Sequence, residues 1–584
     1  MKDYTVFSVK IGGAAGEGIK TIGYTLQKGL QRLGFYSFGY TEYPSLIRGG
    51  HNTYQVSWDI EPVHCVDNHV DIVVALNKEG VDFHLKELKK GGIIIYDSAS
   101  ISLDASYNKL RNIQFWPVNA KEVLEEHSIP LIMQNTFFVG VVFSVLSYPV
   151  NVLSDILAEK FKHKGEKIVE MNKKALAIGY RESLIKTKSI ELHRKPTIPS
   201  KKESTIMVSA NESIALGFLA SGGRVYSSYP MTPSSSILHY LAKVGAKKGV
   251  LVRQASNEIE AIGLAAGASF SGTRSMVATS GGGMALMGEF ISLLGVTEIP
   301  LVIVNAQRPG PGTGVPTWTE QGDLQFSIHI GHGDFPKVVI APGDSEEAFF
   351  LTNEALNIAD QYQIPVILLS DKHISESFET IKPFKIGTVQ VQRGQIMTRS
   401  ALNKLKKRFE RYHVQSKDGV SPRSLPGQKN GIFAANSDEH DPFGYSTEDA
   451  SMRNTMVEKR MKKLKMISKQ LPDPKVFGDP RSKNLIIFWG SPKGAILETL
   501  KILGKRGKDF KVMQIQYLWP FPEDYVVKEI KKSKNSILIE NNVTAQLRSY
   551  IRESGVDVDH VFTKYDGRPF WVSELVTYLE KHYT

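Results

Sequence analysis

The segment Tyr229-Pro230-Met231-Thr232-Pro233-Ser234-Ser235 follows a strand-like run at 224–228 and precedes an amphipathic one, Ile237-Leu238-His239-Tyr240-Leu241. That order reads as strand, tight loop, helix. It predicts Thr232 as the helix N-cap, with Pro233 in the first turn, where a missing N–H costs nothing. A helix start also offers free N–H groups and a positive dipole end to an anion. Taken alone, the segment is equally an ordinary cap. Arg308 stands just after the strand-like run 301–305. Open α/β sheets bind ligands at that end of a strand, and the planar guanidinium matches a carboxylate. As a single residue it also reads as a surface ion pair. Glu258 heads a run of small residues, Glu258-Ile259-Glu260-Ala261-Ile262-Gly263-Leu264-Ala265-Ala266-Gly267-Ala268. Ser256 is the predicted N-cap of that helix, and an acid in the first turn suits the dipole. The glycines and alanines predict close packing against something. Thr279-Ser280-Gly281-Gly282-Gly283 reads as a flexible loop at a strand end.

Two glycine-rich loops lie nearer the N-terminus. Gly13-Ala14-Ala15-Gly16-Glu17-Gly18 follows a strand-like run and resembles a phosphate loop, but Lys20-Thr21 falls one place too late for a P-loop. A dinucleotide fold would want an acid closing its second strand, and Glu42 is the candidate. Arg48-Gly49-Gly50-His51-Asn52 carries a cation and two polar side chains. Either loop could meet an anionic ligand or simply turn the chain.

The elements that must hold these residues fall into blocks. Strand-like runs at 5–11, 72–76 and 92–97 alternate with helical segments, as do those at 224–228, 250–253, 275–278, 301–305 and 366–369, and those at 485–489, 512–517 and 536–540. Such alternation implies parallel sheets covered by helices on both faces. The fold class expected is α/β, with three doubly wound domains at 1–185, 206–390 and 481–584. A Lys-, Ser- and Pro-rich linker spans 186–205, and an irregular connector with short helices spans 391–480.

A chain of 584 residues, 41% hydrophobic and 23% charged, has ample core for roughly two to four soluble domains. No apolar run approaches the roughly 18 residues that span a membrane, and no signal peptide is visible, so the expected location is cytoplasmic. The net charge of +12 is spread along the chain. Local excesses lie at 186–202, 404–411 and 459–465; the last two read as solvated helical faces or linker edges, and none interleaves with aromatics, so no nucleic-acid partner is expected. Cys65 is the single cysteine. One thiol excludes an intrachain disulfide and a Cys-ligated cluster built by this chain alone.

Taken in order, Tyr-Pro-x-Thr-Pro-Ser-Ser from Tyr229, Asn257-Glu258, Thr279-Ser280-Gly281-Gly282, Gln307-Arg308-x-Gly-Pro and Glu320-Gln321-x-Asp323-Leu324 resemble the α subunit of 2-oxoacid:ferredoxin oxidoreductases. Asp418-Gly419-Val420-Ser421-Pro422-Arg423-Ser424 and Glu439-His440-Asp441 are similar to that family's segment after the core. The first block, with Gly16-x-Gly18-Ile19 and Tyr43-Pro44-Ser45-x-Ile47-Arg48-Gly49-Gly50, looks like its γ subunit fused in front. The third, with Trp519-Pro520-Phe521-Pro522 and Glu540-Asn541-Asn542, looks like its transketolase C-terminal-like domain. Met231 replaces a commoner isoleucine, and Gly312 stands where a serine is frequent, which removes a possible hydroxyl donor near the substrate.

The resemblance implies a pyrimidine-binding middle domain and thiamine diphosphate at an interface shared with a β subunit. It implies oxidative decarboxylation of a 2-oxoacid to acyl-CoA, with electrons to ferredoxin or flavodoxin. Glu258 would contact the aminopyrimidine N1′, Tyr229 and Pro230 would line the cofactor, and Thr232 and Arg308 would hold the substrate carboxylate. Arg48, Gly16 and Gly18 would contact CoA or another anion. Mg²⁺ and a [4Fe-4S] cluster would belong to the β subunit, with no metal on this chain, in an (αβ)₂ heterotetramer. Among substrates, 2-oxoglutarate or a broad range is favoured, with pyruvate open. Two rival readings are a NAD(P)-dependent dehydrogenase using the 13–18 loop and a non-catalytic or nucleic-acid-binding protein drawn by the net charge.

Overall fold

In β1 (Phe7–Ala14), Phe7, Val9 and Ile11 alternate into one core, where they meet Ile22, Leu26 and Leu30 of the helix Ile19–Leu33. A period of two thus faces a period of nearly four, the two patterns that let a strand and a helix share a core. The computed structural model describes residues 6–46, 50–104, 106–107, 110, 112–186, 192, 195–506 and 508–583.

The first block continues with β2 (Tyr36–Glu42), β3 (His51–Asp59), β4 (Val70–Ala75), β5 (Leu88–Asp97) and β6 (Gln114–Val118). The parallel set β1, β4, β5 and β6 is the one that alternation implies. However, β3 lies antiparallel to β1 on one side and to β2 on the other. The link 43–50 is shorter than the dozen or so residues a parallel crossover needs, so β3 returns beside β2 as a hairpin.

The middle block holds β7 (Ile206–Val208), β8 (Val225–Ser228), β9 (Leu251–Gln254), β10 (Ser275–Thr279), β11 (Leu301–Gln307), β12 (Val338–Ile340), β13 (Pro365–Asp371) and β14 (Phe378–Ile381). The third holds β15 (Lys475–Gly478), β16 (Asn484–Phe488), β17 (Lys511–Gln514), β18 (Tyr517–Trp519), β19 (Asn535–Glu540) and β20 (His560–Thr563). They form an 8-stranded sheet β6-β5-β4-β1-β3-β2-β14-β7, a 7-stranded sheet β18-β12-β13-β11-β10-β8-β9 and a 5-stranded sheet β15-β17-β16-β19-β20. The class is α/β with three sheets, but strands are exchanged between blocks. β7 and β14 complete the first sheet, and β18 crosses to the edge of the second. The single run expected at 512–517 is therefore two strands in two sheets. In the second sheet β11 is buried throughout, with Ile303 in one core and Val302 and Val304 in the other, as a strand covered on both faces requires.

The connector is fastened by buried charge. Glu298, in the left-handed conformation at φ 53°, ends its helix and turns its carboxylate into a seam with the helix Ala450–Ser468. Lys459 Nζ lies 2.6 Å from Glu298 Oε1, Lys463 contacts Oε2, and Arg411 Nη2 donates to the Glu298 carbonyl at 2.9 Å. The two ammonium groups hold the Glu298 carboxyl far below the usual carboxylate range. This corrects part of the reading of 404–411 and 459–465 as solvated faces: Arg411, Lys459, Arg460 and Lys463 are buried, whereas Lys404, Lys406, Lys407, Arg408, Lys462 and Lys465 are exposed as expected.

Glu298→Gln leaves buried ammonium groups unpaired and should cost about 3–5 kcal/mol, read as a lower urea midpoint. Because folding depresses this carboxyl, the difference from wild type should hold above pH 4.5 and close as pH falls.

Candidate active site

β8, β10 and β11 are parallel neighbours in register, with Ser227 beside Val277 and Thr279 beside Asn305, so the loops that follow them open at one edge. After β8, Ser234 Oγ donates to the Met231 carbonyl at 2.8 Å and Asn211 Nδ2 to the Pro233 carbonyl at 2.8 Å. These bonds fold 229–234 into a loop and delay the helix to Ser235–Val244, with Ser234 at its N-cap position. Thr232 therefore does not cap the helix, and Pro233 lies outside its first turn. The Thr232 carbonyl instead accepts a 2.9 Å hydrogen bond from Arg308 Nη1. Tyr229 is exposed and Pro230 half-buried beside them.

Glu258 opens the helix Glu258–Phe270. Asn257, not Ser256, is its N-cap: Asn257 Oδ1 accepts from Glu260 N at 2.8 Å, while Glu260 Oε2 accepts from Ser256 N at 2.7 Å. This reciprocal pair satisfies the helix start and leaves Glu258 free to turn inward. Its side chain is buried, and Oε1 has neither water contact nor a hydrogen-bond partner. Opposite it is Gly283, where a Cβ would stand 2.7 Å from Glu258 Oε1 and 2.1 Å from Thr279 Oγ1. The stretch expected as a flexible loop is a short helix, Gly281–Leu286, because Met284 N reaches the Ser280 carbonyl at 2.8 Å. Gly281 and Gly283 are imposed by crowding, whereas a Cβ on Gly282 would make only an ordinary contact. The close-packing reading of the Gly/Ala helix holds on one face only: Ala261, Ala265 and Ala266 are buried, whereas a Cβ on Gly267 would meet nothing.

Beyond Arg308, the loop closes with Val315 N on the Pro309 carbonyl at 3.1 Å. It brings the Gly312 carbonyl within 3.8 Å of a Cβ position on Gly282. Gly312 takes φ 63°, a conformation a serine would adopt only with strain. Asp323 then enters the same space. Its Oδ2 accepts from Asn305 Nδ2 at 3.1 Å and lies 2.5 Å from where a Cβ on Gly281 would be. Burial pushes the Asp323 carboxyl up, despite Asn305 and the neighbouring Arg308. Burial, with the Asp323 charge adding to it, lifts Glu320 to about 7. The loops thus bring Glu258, Thr232, Arg308 and Asp323 together around one glycine turn, with Glu320 in the field of Asp323. The acids at 320 and 323 stood in the motif without a role, because nothing in their spacing says that Asp323 approaches Arg308.

At the first sheet, Gly16 (φ 95°) and Gly18 (φ 75°) turn the chain between β1 and its helix. A Cβ on Gly16 would meet nothing, whereas one on Gly18 would strike Asn135. Arg48 lies outside the described residues. Across the end of β1, His51 Nε2 and His84 Nε2 are 2.7 Å apart, with His84 Nδ1 2.8 Å from Glu87 Oε2, a network that the sequence reading missed. Glu42 cannot serve a dinucleotide ribose in the usual way. Its strand is separated from β1 by antiparallel β3, and its carboxylate lies 3.5 Å from Arg568 of the third block.

Glu258 and its glycine cradle fit a group that brings a ring nitrogen able to share a proton with a carboxylate. An orphaned buried oxygen is otherwise a cost that folded chains avoid.

Residues 217–459 match the family described as pyruvate flavodoxin/ferredoxin oxidoreductase, thiamine diphosphate-binding, and residues 8–182 match pyruvate ferredoxin/flavodoxin oxidoreductase. A 2-oxoacid:ferredoxin oxidoreductase subunit alpha from Sulfolobus sp is 33% identical, over 97% of this chain and 95% of its own. A 2-oxoglutarate synthase subunit, KorA, from Archaeoglobus fulgidus is 30% identical over 58% of this chain and 88% of its own. Among solved structures, the 2-oxoglutarate:ferredoxin oxidoreductase from Magnetococcus marinus, with 2-oxoglutarate, coenzyme A and succinyl-CoA bound, matches with a TM-score of 0.91. It is 28% identical and covers 99% of each chain.

Folding raises the Glu320 carboxyl from 4.5 to about 7, so the folded chain holds a proton that the unfolded chain has released across that window. Wild-type stability should therefore fall relative to Glu320→Gln as pH rises from 4.5 to about 7, and run level above it. Paired urea titrations across that range would measure the divergence.

Proposed function

The chain belongs to the 2-oxoacid:ferredoxin oxidoreductases as an alpha-type subunit, and from that membership we propose that it contributes Glu258, Thr232 and Arg308 to an active site completed by a second subunit. The reaction is oxidative decarboxylation of a 2-oxoacid to acyl-CoA and CO₂, with electrons passed to ferredoxin or flavodoxin. The 2-oxoacid is 2-oxoglutarate or one of a broad range. Residues 1–185 serve as the gamma-type block, 206–390 as the pyrimidine-binding domain and 481–584 as the transketolase C-terminal-like domain. The observation that carries the reading is the buried, unpartnered Glu258 Oε1 beside Gly283, with Arg308 tied to Thr232 at the same sheet edge.

Thiamine diphosphate, when bound, supplies the electron sink that decarboxylation needs. Glu258 Oε1 holds or returns a proton at the aminopyrimidine N1′, in a site dry enough to strengthen that contact. Tyr229 and Pro230 wall the ring. Arg308 Nη1 is committed to the Thr232 carbonyl, which fixes the guanidinium plane and leaves its other N–H groups for a substrate carboxylate. Thr232 offers its hydroxyl to the same group. Charge-assisted bonds of this kind are worth about 1.5–3 kcal/mol each.

Tyr229, in the loop after β8, and Ile259, in the first turn of the Glu258 helix, are exposed apolar side chains suited to the β subunit. Cys65 is buried and is the only thiol, so the [4Fe-4S] cluster belongs to that subunit. Mg²⁺ is assigned to it as well, in an (αβ)₂ assembly. CoA is placed at the mouth of the first sheet, where Gly16 leaves open space for an anionic ligand; Arg48 is proposed there on sequence alone. No described helix is long and apolar enough to cross a membrane. The proposed setting is the cytoplasm, where CoA and a reducible ferredoxin are both available.

Co-expression with a cysteine-rich β subunit should give CoA-dependent viologen reduction that neither chain gives alone, with one or more 2-oxoacids preferred from a panel. Glu258→Gln should lower kcat by about 10²–10⁴. Arg308→Ala should raise the 2-oxoacid KM by about 10–100-fold, the value of one lost charge-assisted bond. Dye reduction by this chain alone would overturn the division of labour.

A further inference from the structure

The segment 319–325 is bound to the third block more tightly than its loop character suggests. Gln321 N donates to the Asn541 carbonyl at 2.7 Å, Gln321 Nε2 to the Trp489 carbonyl at 2.8 Å, and Asn541 N to Gln321 Oε1 at 2.9 Å. Gln546 adds Nε2 to the Gly322 carbonyl at 2.7 Å and receives Gln325 N at 2.9 Å. On its other side the segment reaches the sheet edge, where Asp323 N donates to Gln307 Oε1 at 2.9 Å and Oδ2 accepts from Asn305. Gln307 is the neighbour of Arg308. Asp323 is thereby held by its backbone N and its Oδ2 in the field of the guanidinium, across the glycine turn from Glu258.

We propose that Asp323 is a positioning residue of the decarboxylation, a fixed negative charge that weakens the hold of Arg308 on the substrate carboxylate before the bond breaks. In that step the bond between the carboxyl carbon and the 2-carbon breaks. Its electron pair stays on the 2-carbon side, taken up by the electron sink, and the carboxylate leaves as neutral CO₂. An anion facing the carboxylate therefore opposes the ground state more than the transition state, in which that charge is disappearing. The segment supplies the rigidity that such a charge needs, since a mobile aspartate would move aside. The inference rests on the reading that Arg308 takes the carboxylate.

Asp323→Asn keeps an acceptor for Asn305 and the backbone bond to Gln307, and removes only the charge. In the complex with a β subunit it should lower both KM and kcat for the 2-oxoacid, the pattern left by lost ground-state strain. It should also tighten the calorimetric Kd of oxamate, a carboxylate probe that does not decarboxylate, by about tenfold, the scale of one close like charge. An unchanged or weaker oxamate Kd in Asp323→Asn would overturn the inference while leaving the site reading intact. A wild-type oxamate Kd in Arg308→Ala would instead sink the site reading, and the inference with it.

Discussion

A carboxylate oxygen buried without a partner is the constraint around which the second sheet is arranged. An ionisable group in that state is costly, and folded chains rarely leave one. Three local choices keep Glu258 in it. Asn257 and Glu260 complete the helix start between themselves, so Glu258 is not drawn into capping. Gly283 withholds a side chain that would press on Oε1. The parallel register of β8, β10 and β11 then sets the loops of three strands side by side, which puts Arg308 and Thr232 on the same rim. Shifting any one strand by a residue would turn its terminal side chains to the other face of the sheet.

Charge is distributed in the site with a matching economy. The Arg308 guanidinium lies in the field of the Asp323 carboxylate, and burial raises the carboxyls of Asp323 and Glu320 above their ordinary values. Elsewhere the chain does the opposite, neutralising Glu298 with two lysines inside a seam. A paired buried charge fastens two segments together, whereas an underpaired one at a rim remains available to a ligand.

The strands that lie inside long apolar runs were legible from sequence because β11 and β16 are buried on both faces and read as continuous hydrophobic stretches. The strands β7, β14 and β18 were not. They are short, and their partners come from segments far away in the chain, so no local periodicity marks them. The motif residues Glu258 and Arg308 could be found because each stands at an element boundary. The cap beside Glu258 was misjudged, since Ser256 and Asn257 are both competent and only the reach of Glu260 decides between them. The lysines at 459 and 463 looked solvated because a lone acid, Glu298, draws them inward from a distant helix end. Asp323 and Gln321 were visible as letters of a motif, but what they hold depends on a third block whose docking no spacing encodes.

The exchange of strands between blocks makes the linker mechanically redundant. β14 and β7 extend the first sheet from a segment on the far side of the connection around Pro199 and Ser200, so backbone hydrogen bonds already join what the linker joins. A protease cut there would leave two polypeptides in one folded body. The covalent fusion therefore secures equal supply and a high effective concentration of the two blocks, while a continuous sheet secures their alignment. The linker is itself held to the first block, where Leu192 and Ile198 pack on the core and the Pro196 carbonyl accepts from Tyr148 at 2.6 Å, so its path is fixed by docking as well as by its two ends.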